Sequence, residues 1–61
     1  MKLGQKVKIT GGMKEFVGRT GIVAFKEDGL YRVRLDEPVN IPGIGIVRDD
    51  LWGGSFLKRI R

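Results

Sequence analysis

Residues 30–36, LYRVRLD, give the cleanest apolar–polar alternation in the chain. Successive side chains of a strand point to opposite faces, so Tyr31, Val33 and Leu35 share an inward face and Arg32 and Arg34 an outward one. Residues 5–10, QKVKIT, repeat the pattern, with Val7 and Ile9 opposite Lys6, Lys8 and Thr10. Residues 19–26, RTGIVAFK, read as a mostly apolar strand with Phe25 on its core side. Between residues 19–26 and 30–36 stands Glu27-Asp28-Gly29, and Asp-Gly between apolar runs predicts a tight hairpin, because glycine reaches positive φ without strain. Residues 44–48, IGIVR, predict a fourth strand, and residues 56–60, FLKRI, a short fifth with Phe56 in the core.

What separates these runs is equally informative. Ten glycines leave no uninterrupted window for an amphipathic helix of about three turns. Residues 37–45, EPVNIPGIG, contain two prolines, which remove two backbone donors and predict an irregular connection. Asp49-Asp50-Leu51 predicts a single helical turn capped by an aspartate, and Trp52-Gly53-Gly54-Ser55 a change of direction. The glycine-rich segment 11–18 is expected to protrude as one long loop presenting Lys14 and Phe16. Five short strands predict an all-β domain. A flat sheet would leave two raw edges. Bent strands that close on themselves avoid them, so the expected architecture is a single small five-stranded barrel. In such a barrel the first and last strands lie side by side, which sets Lys6 and Lys8 near Lys58, Arg59 or Arg61.

Val7-Lys8-Ile9, then Gly11, then Gly18-Arg19-Thr20-Gly21-Ile22-Val23 resembles the KOW motif. The resemblance covers about a third of the chain. It implies an SH3-like barrel, with Val7, Ile9 and Val23 in the core and Gly21 at a sharp strand bend. Many proteins with that motif serve ribosomal or transcription-elongation machinery and use the motif loop to contact RNA or protein. The loop here is longer than the usual pattern, and it carries Met13 and Phe16 where a basic tip is usual.

Length and composition narrow the chemistry. Sixty-one residues make one domain, and a chain this short buries only ~60% of its unfolded surface. Without cysteine there is no disulfide and no thiolate zinc site to reinforce it. Without histidine or cysteine, the usual general base and the best nucleophile are missing too. Asp36-Glu37 and Asp49-Asp50 are the close acidic pairs, but neighbours in an extended chain point apart. The segment GGMKEFVGRTG lacks the Gly-Lys-Ser/Thr ending and the following helix of a phosphate-binding loop. The expectation is therefore a non-catalytic protein with no cofactor, no metal and no small-molecule substrate. The amino-terminal MKLGQKVK has no apolar stretch behind its early lysine, so a signal peptide is not expected; nor is a membrane span, and a cytoplasmic location is.

Charge supplies the functional expectation. Twelve lysines and arginines against seven acids give a net charge of +5 and a pI near 10.1. Residues 1–34 already hold eight cations against three acids. A polyanionic partner, RNA or DNA, is the leading expectation. The candidate contacts are Lys6, Lys8, Lys14, Arg32, Arg34, Arg59 and Arg61 for phosphates, with the loop aromatics Phe16 and Trp52 for stacking. Outward strand charges also serve solubility and protect edges, and Trp52 is equally placed to cap the end of a barrel. The alternative function is a protein-interaction or assembly module, either a small subunit of a larger complex or a homo-oligomer.

Overall fold

The computed structural model describes residues 1–60. Five strands form the frame: β1 (Lys6–Ile9), β2 (Thr20–Glu27), β3 (Leu30–Ile41), β4 (Gly45–Gly53) and β5 (Leu57–Arg59). They lie in one antiparallel sheet in the order β4-β3-β2-β1-β5, so the all-β expectation and the pairing of first with last strand both hold. A 3-10 turn, Gly54–Phe56, links β4 to β5. These two strands are the sheet edges, and no ladder joins them among the described residues. No helix among those residues is long and apolar enough to cross a membrane.

Turn chemistry sets the hairpins. Asp28 and Gly29 both take positive φ, 46° and 80°, between the paired residues Glu27 and Leu30. Positive φ at both positions is the two-residue turn whose twist matches the flanking strands. At the β3–β4 hairpin, Ile44 N–H donates to the Ile41 carbonyl at 3.0 Å across Pro42-Gly43, with Gly43 at φ 82°. Proline then glycine at the central positions is what a type II turn requires.

β3 corrects the expectation of an irregular connection. It runs on through residues 37–41, because Val39 and Ile41 are buried and pair with Val47 and Gly45. Between Arg34 and Val39 the register against β4 shifts, and Pro38 sits in that shift, where no ladder partner needs its missing N–H. β4 is likewise longer than expected. Asp49 and Asp50 pair with Arg34 and Val33 inside the strand and form no helical turn.

The buried core consists of Val7, Ile9, Val23, Val33, Leu35, Val39, Ile41 and Leu57, closed by Phe16 and Trp52. Two aromatic assignments are reversed by a bulge and a turn. Val23 pairs with Val33, but Phe25 pairs with Arg32, so Ala24 is an extra residue that inverts the alternation of β2. Phe25 therefore faces outward at 46% exposure instead of joining the core. Phe56 ends the 3-10 turn, is also exposed, and lays its ring against Gly11.

The loop between β1 and β2 keeps Lys14 exposed but does not present Phe16 as expected. Its base is fastened by Ile9 N–H to the Arg19 carbonyl (2.9 Å) and Gly18 N–H to the Ile9 carbonyl (2.8 Å). Turns within it donate Phe16 N–H to Met13 and Arg19 N–H to Phe16. Phe16 consequently points inward at 3% exposure. Its ring meets Trp52 edge-on, with centroids 5.2 Å apart and planes at 83°. This geometry adds ~0.5–1.5 kcal/mol beyond area burial. Trp52 is carried by β4, not by a loop, and is buried.

Gly21 occupies a close approach between strands. A Cβ there would overlap the Arg34 carbonyl oxygen and lie 2.7 Å from Val33 Cγ1. Gly21→Val should lower stability by more than ~1 kcal/mol despite the strand preference of valine. An unchanged denaturation midpoint would refute the close approach. The loop generates a second expectation. Phe16→Ala should cost ~3–5 kcal/mol, as other core phenylalanines do, whereas Met13→Ser, at an exposed neighbour, should fall within ~0.5 kcal/mol of the parent in urea unfolding.

Candidate functional site

Cross-strand partners point to the same face, so register decides which cations lie together. Lys8 pairs with Lys58 on one side and Thr20 on the other. One step along, Lys6 pairs with Ile22, Ile22 with Arg34, and Arg34 with Asp49. Past the β2 bulge, Phe25 pairs with Arg32 and Arg32 with Leu51. These rows are about 7 Å apart, two residues of strand. They cover the outer face of the sheet, opposite Val7, Ile9, Val33 and Leu35.

The cations on this face fall into two groups. Lys6 donates to Asp36 Oδ2, which also accepts from Thr20 Oγ1 at 2.5 Å. Arg32 is held twice, Nε to Glu27 Oε2 and one terminal NH to Asp49 Oδ1, each at 2.7 Å. Its guanidinium also lies over the Phe25 ring, 5.6 Å from the centroid, within cation–π range. The hydrogen bonds from Arg32 to Glu27 first and Asp49 second raise its pKa above the ordinary guanidinium value. Lys8, Lys58 and Arg34 form no ion pair among the described residues. Lys8 and Lys58 are direct neighbours of like sign, which is unfavourable on an isolated sheet. Asp49, the cross-strand partner of Arg34, is engaged by Arg32, and Asp36 by Lys6.

The other candidates lie elsewhere. Arg59 pairs with buried Val7 and so projects from the opposite face. Lys14 is exposed on the β1–β2 loop, off the sheet. Arg61 lies outside the described residues. Phe16 and Trp52 are buried against each other, which corrects the expectation that Phe16 is presented at the tip of a protruding loop. In the sequence Lys58 stands out only as a neighbour of Lys8, and the uncharged Ile22 and Phe25 do not stand out as contacts. Lys58 was within reach of the period-two pattern, since Leu57 inward forces Lys58 outward. Phe25 was not, because nothing in residues 19–26 announces the bulge.

Two depressions open on the surface of the described residues. One of about 350 Å³ opens where Phe16 and Trp52 form a floor and Met13, Leu30, Leu51, Phe56 and Asp50 a rim. The other, about 300 Å³, lies between Gly18, Arg19 and Thr20 and the acids Asp36 and Glu37.

Asp36 is the group on this face with a pH-dependent consequence. The hydrogen bond from Lys6, then that from Thr20, holds its carboxyl below the ordinary 3.8. A carboxylate whose folded pKa lies below its unfolded one adds stability that is present above the unfolded value and lost as pH falls through the folded one. The wild type should therefore exceed Asp36→Asn in stability by a constant margin near neutrality, and the margin should shrink as pH drops below about 3.8. Urea unfolding of both proteins across that range measures it; a margin independent of pH would show that Asp36 carries no such linkage.

Comparisons of the chain with protein-family models, with curated proteins and with solved structures find no match.

Proposed function

We propose that this protein binds nucleic acid, without catalysis, through the outer face of its sheet. The observation that carries the proposal is the Lys8–Lys58 cross-strand pair, with Arg34 two strands from Lys8 on the same face and none of the three in an ion pair among the described residues. Positive charge so placed is relieved by a polyanion whose phosphates replace the missing counter-charges. The net charge of +5 supports the same class of partner, as does the resemblance of Val7–Val23 to the KOW motif. Lys6 and Arg32 border the patch and hold its geometry through their own ion pairs.

Assembly with other protein chains is favoured by a different feature. At the β3–β4 hairpin Ile44 in the turn and Ile46 on β4 are 68% and 66% exposed, and β4 has no strand on its outer side among the described residues. Such an edge accepts another strand readily.

Titration against short RNA and DNA at several salt concentrations separates the two. Lys8→Gln, Lys58→Gln and Arg34→Gln should each lower the slope of log affinity against log salt by about 0.7–0.9 and leave the melting temperature nearly unchanged. Binding with an undiminished slope would refute the patch. Absence of binding, together with self-association abolished by Ile46→Ser, would favour assembly.

A further inference from the structure

We infer that the partner is single-stranded and that Phe25 is the platform on which one of its bases stacks. This rests on the nucleic-acid reading above and goes beyond it by naming the form of the ligand and an aromatic contact. Three observations converge on it. First, the bulge at Ala24 turns out of the core a phenylalanine that strict alternation would bury, and leaves it 46% exposed. Second, the ring has a fixed cation against it and still keeps nearly half of its surface exposed. The Arg32 guanidinium lies over it at 5.6 Å, and that guanidinium is itself fixed by Glu27 and Asp49 at 2.7 Å each. An aromatic ring backed by an immobilised cation loses little freedom when a base settles on its open side, so stacking there costs little ordering entropy. Third, Phe25 lies on the same face as the free cations. Arg34 is one row, about 7 Å, from it along β3, and the Lys8–Lys58 row is one further.

Phosphate-binding cations followed by an exposed aromatic on one surface is the arrangement that tracks a backbone and takes up a base. A duplex keeps its bases stacked inside, and bringing one out costs free energy that a single strand does not spend. The cations alone would serve either form; Phe25 is what selects between them. Stacking is tolerant of base identity because every base has a π-face, so little sequence preference is expected.

The test uses the whole chain with labelled oligothymidylate and oligouridylate, and a duplex of equal length, read by fluorescence anisotropy. The wild type should bind the single strands more tightly than the duplex. Phe25→Leu, which keeps an apolar side chain, should weaken single-strand binding about ten- to a hundredfold, leave duplex binding unchanged and preserve the salt slope. Phe25→Trp should retain single-strand affinity, and the introduced indole should be quenched on binding. Equal affinity for duplex and single strand, or a Phe25→Leu variant that folds and binds like the wild type, overturns the stacking platform while leaving the basic patch in place. No binding of any oligonucleotide by the wild type overturns both.

Discussion

The edge-on contact between Phe16 and Trp52 is the constraint on which the rest of the molecule depends. A chain of 61 residues without a disulfide has few apolar side chains with which to offset the conformational entropy of ordering. Its sheet has two free edges, β4 and β5, and the core between its bent strands would be open toward the β1–β2 loop. Trp52 from β4 and Phe16 from that loop meet across the opening. The loop is thus ordered by what it buries. Its backbone bonds to Ile9 and the positive φ of Gly12 and Gly18 deliver Phe16 to that position.

Local irregularities then determine what the outside looks like. One extra residue in β2, Ala24, exchanges the faces of everything after it, so Phe25 meets Arg32 on the outer surface. A longer shift in β3 absorbs Pro38 and still returns Val39 and Ile41 to the core. Each device bends the sheet, as bulges do, and each re-aims side chains without lengthening a loop. The exposed aromatic and the apolar hairpin tip are consequences of these shifts.

Electrostatic pairing divides the cations by role. Lys6 and Arg32 are committed to Asp36, Glu27 and Asp49, and through them tie β1 to β3 and β3 to β2 and β4. Exposed pairs of this kind add little stability on their own. They leave Lys8, Lys58 and Arg34 outside any ion pair among the described residues. Which cations stand unpaired is therefore decided by the pairing pattern and not by the net charge, which would be the same with the partners exchanged.

Much of the fold was legible in the residues themselves. Period-two alternation determined the inward sets Val7–Ile9 and Val33–Leu35, Asp28-Gly29 determined the first hairpin, and small size with raw edges implied that β1 and β5 pair. The motif resemblance set Gly21 apart at a strand bend, and a Cβ there would overlap the Arg34 carbonyl. These features are local or follow from the pleat, so the sequence by itself determined them. It did not determine the position of Phe16, the facing of Phe25, the strand continuing through Pro38, or which cations lack partners. A loop residue has no periodicity to betray its burial, and a bulge leaves no mark on the alternation it inverts. An ion pair between Lys6 and Asp36 joins residues thirty positions apart. Those outcomes depend on which segments become neighbours in space, which no local pattern of residues specifies.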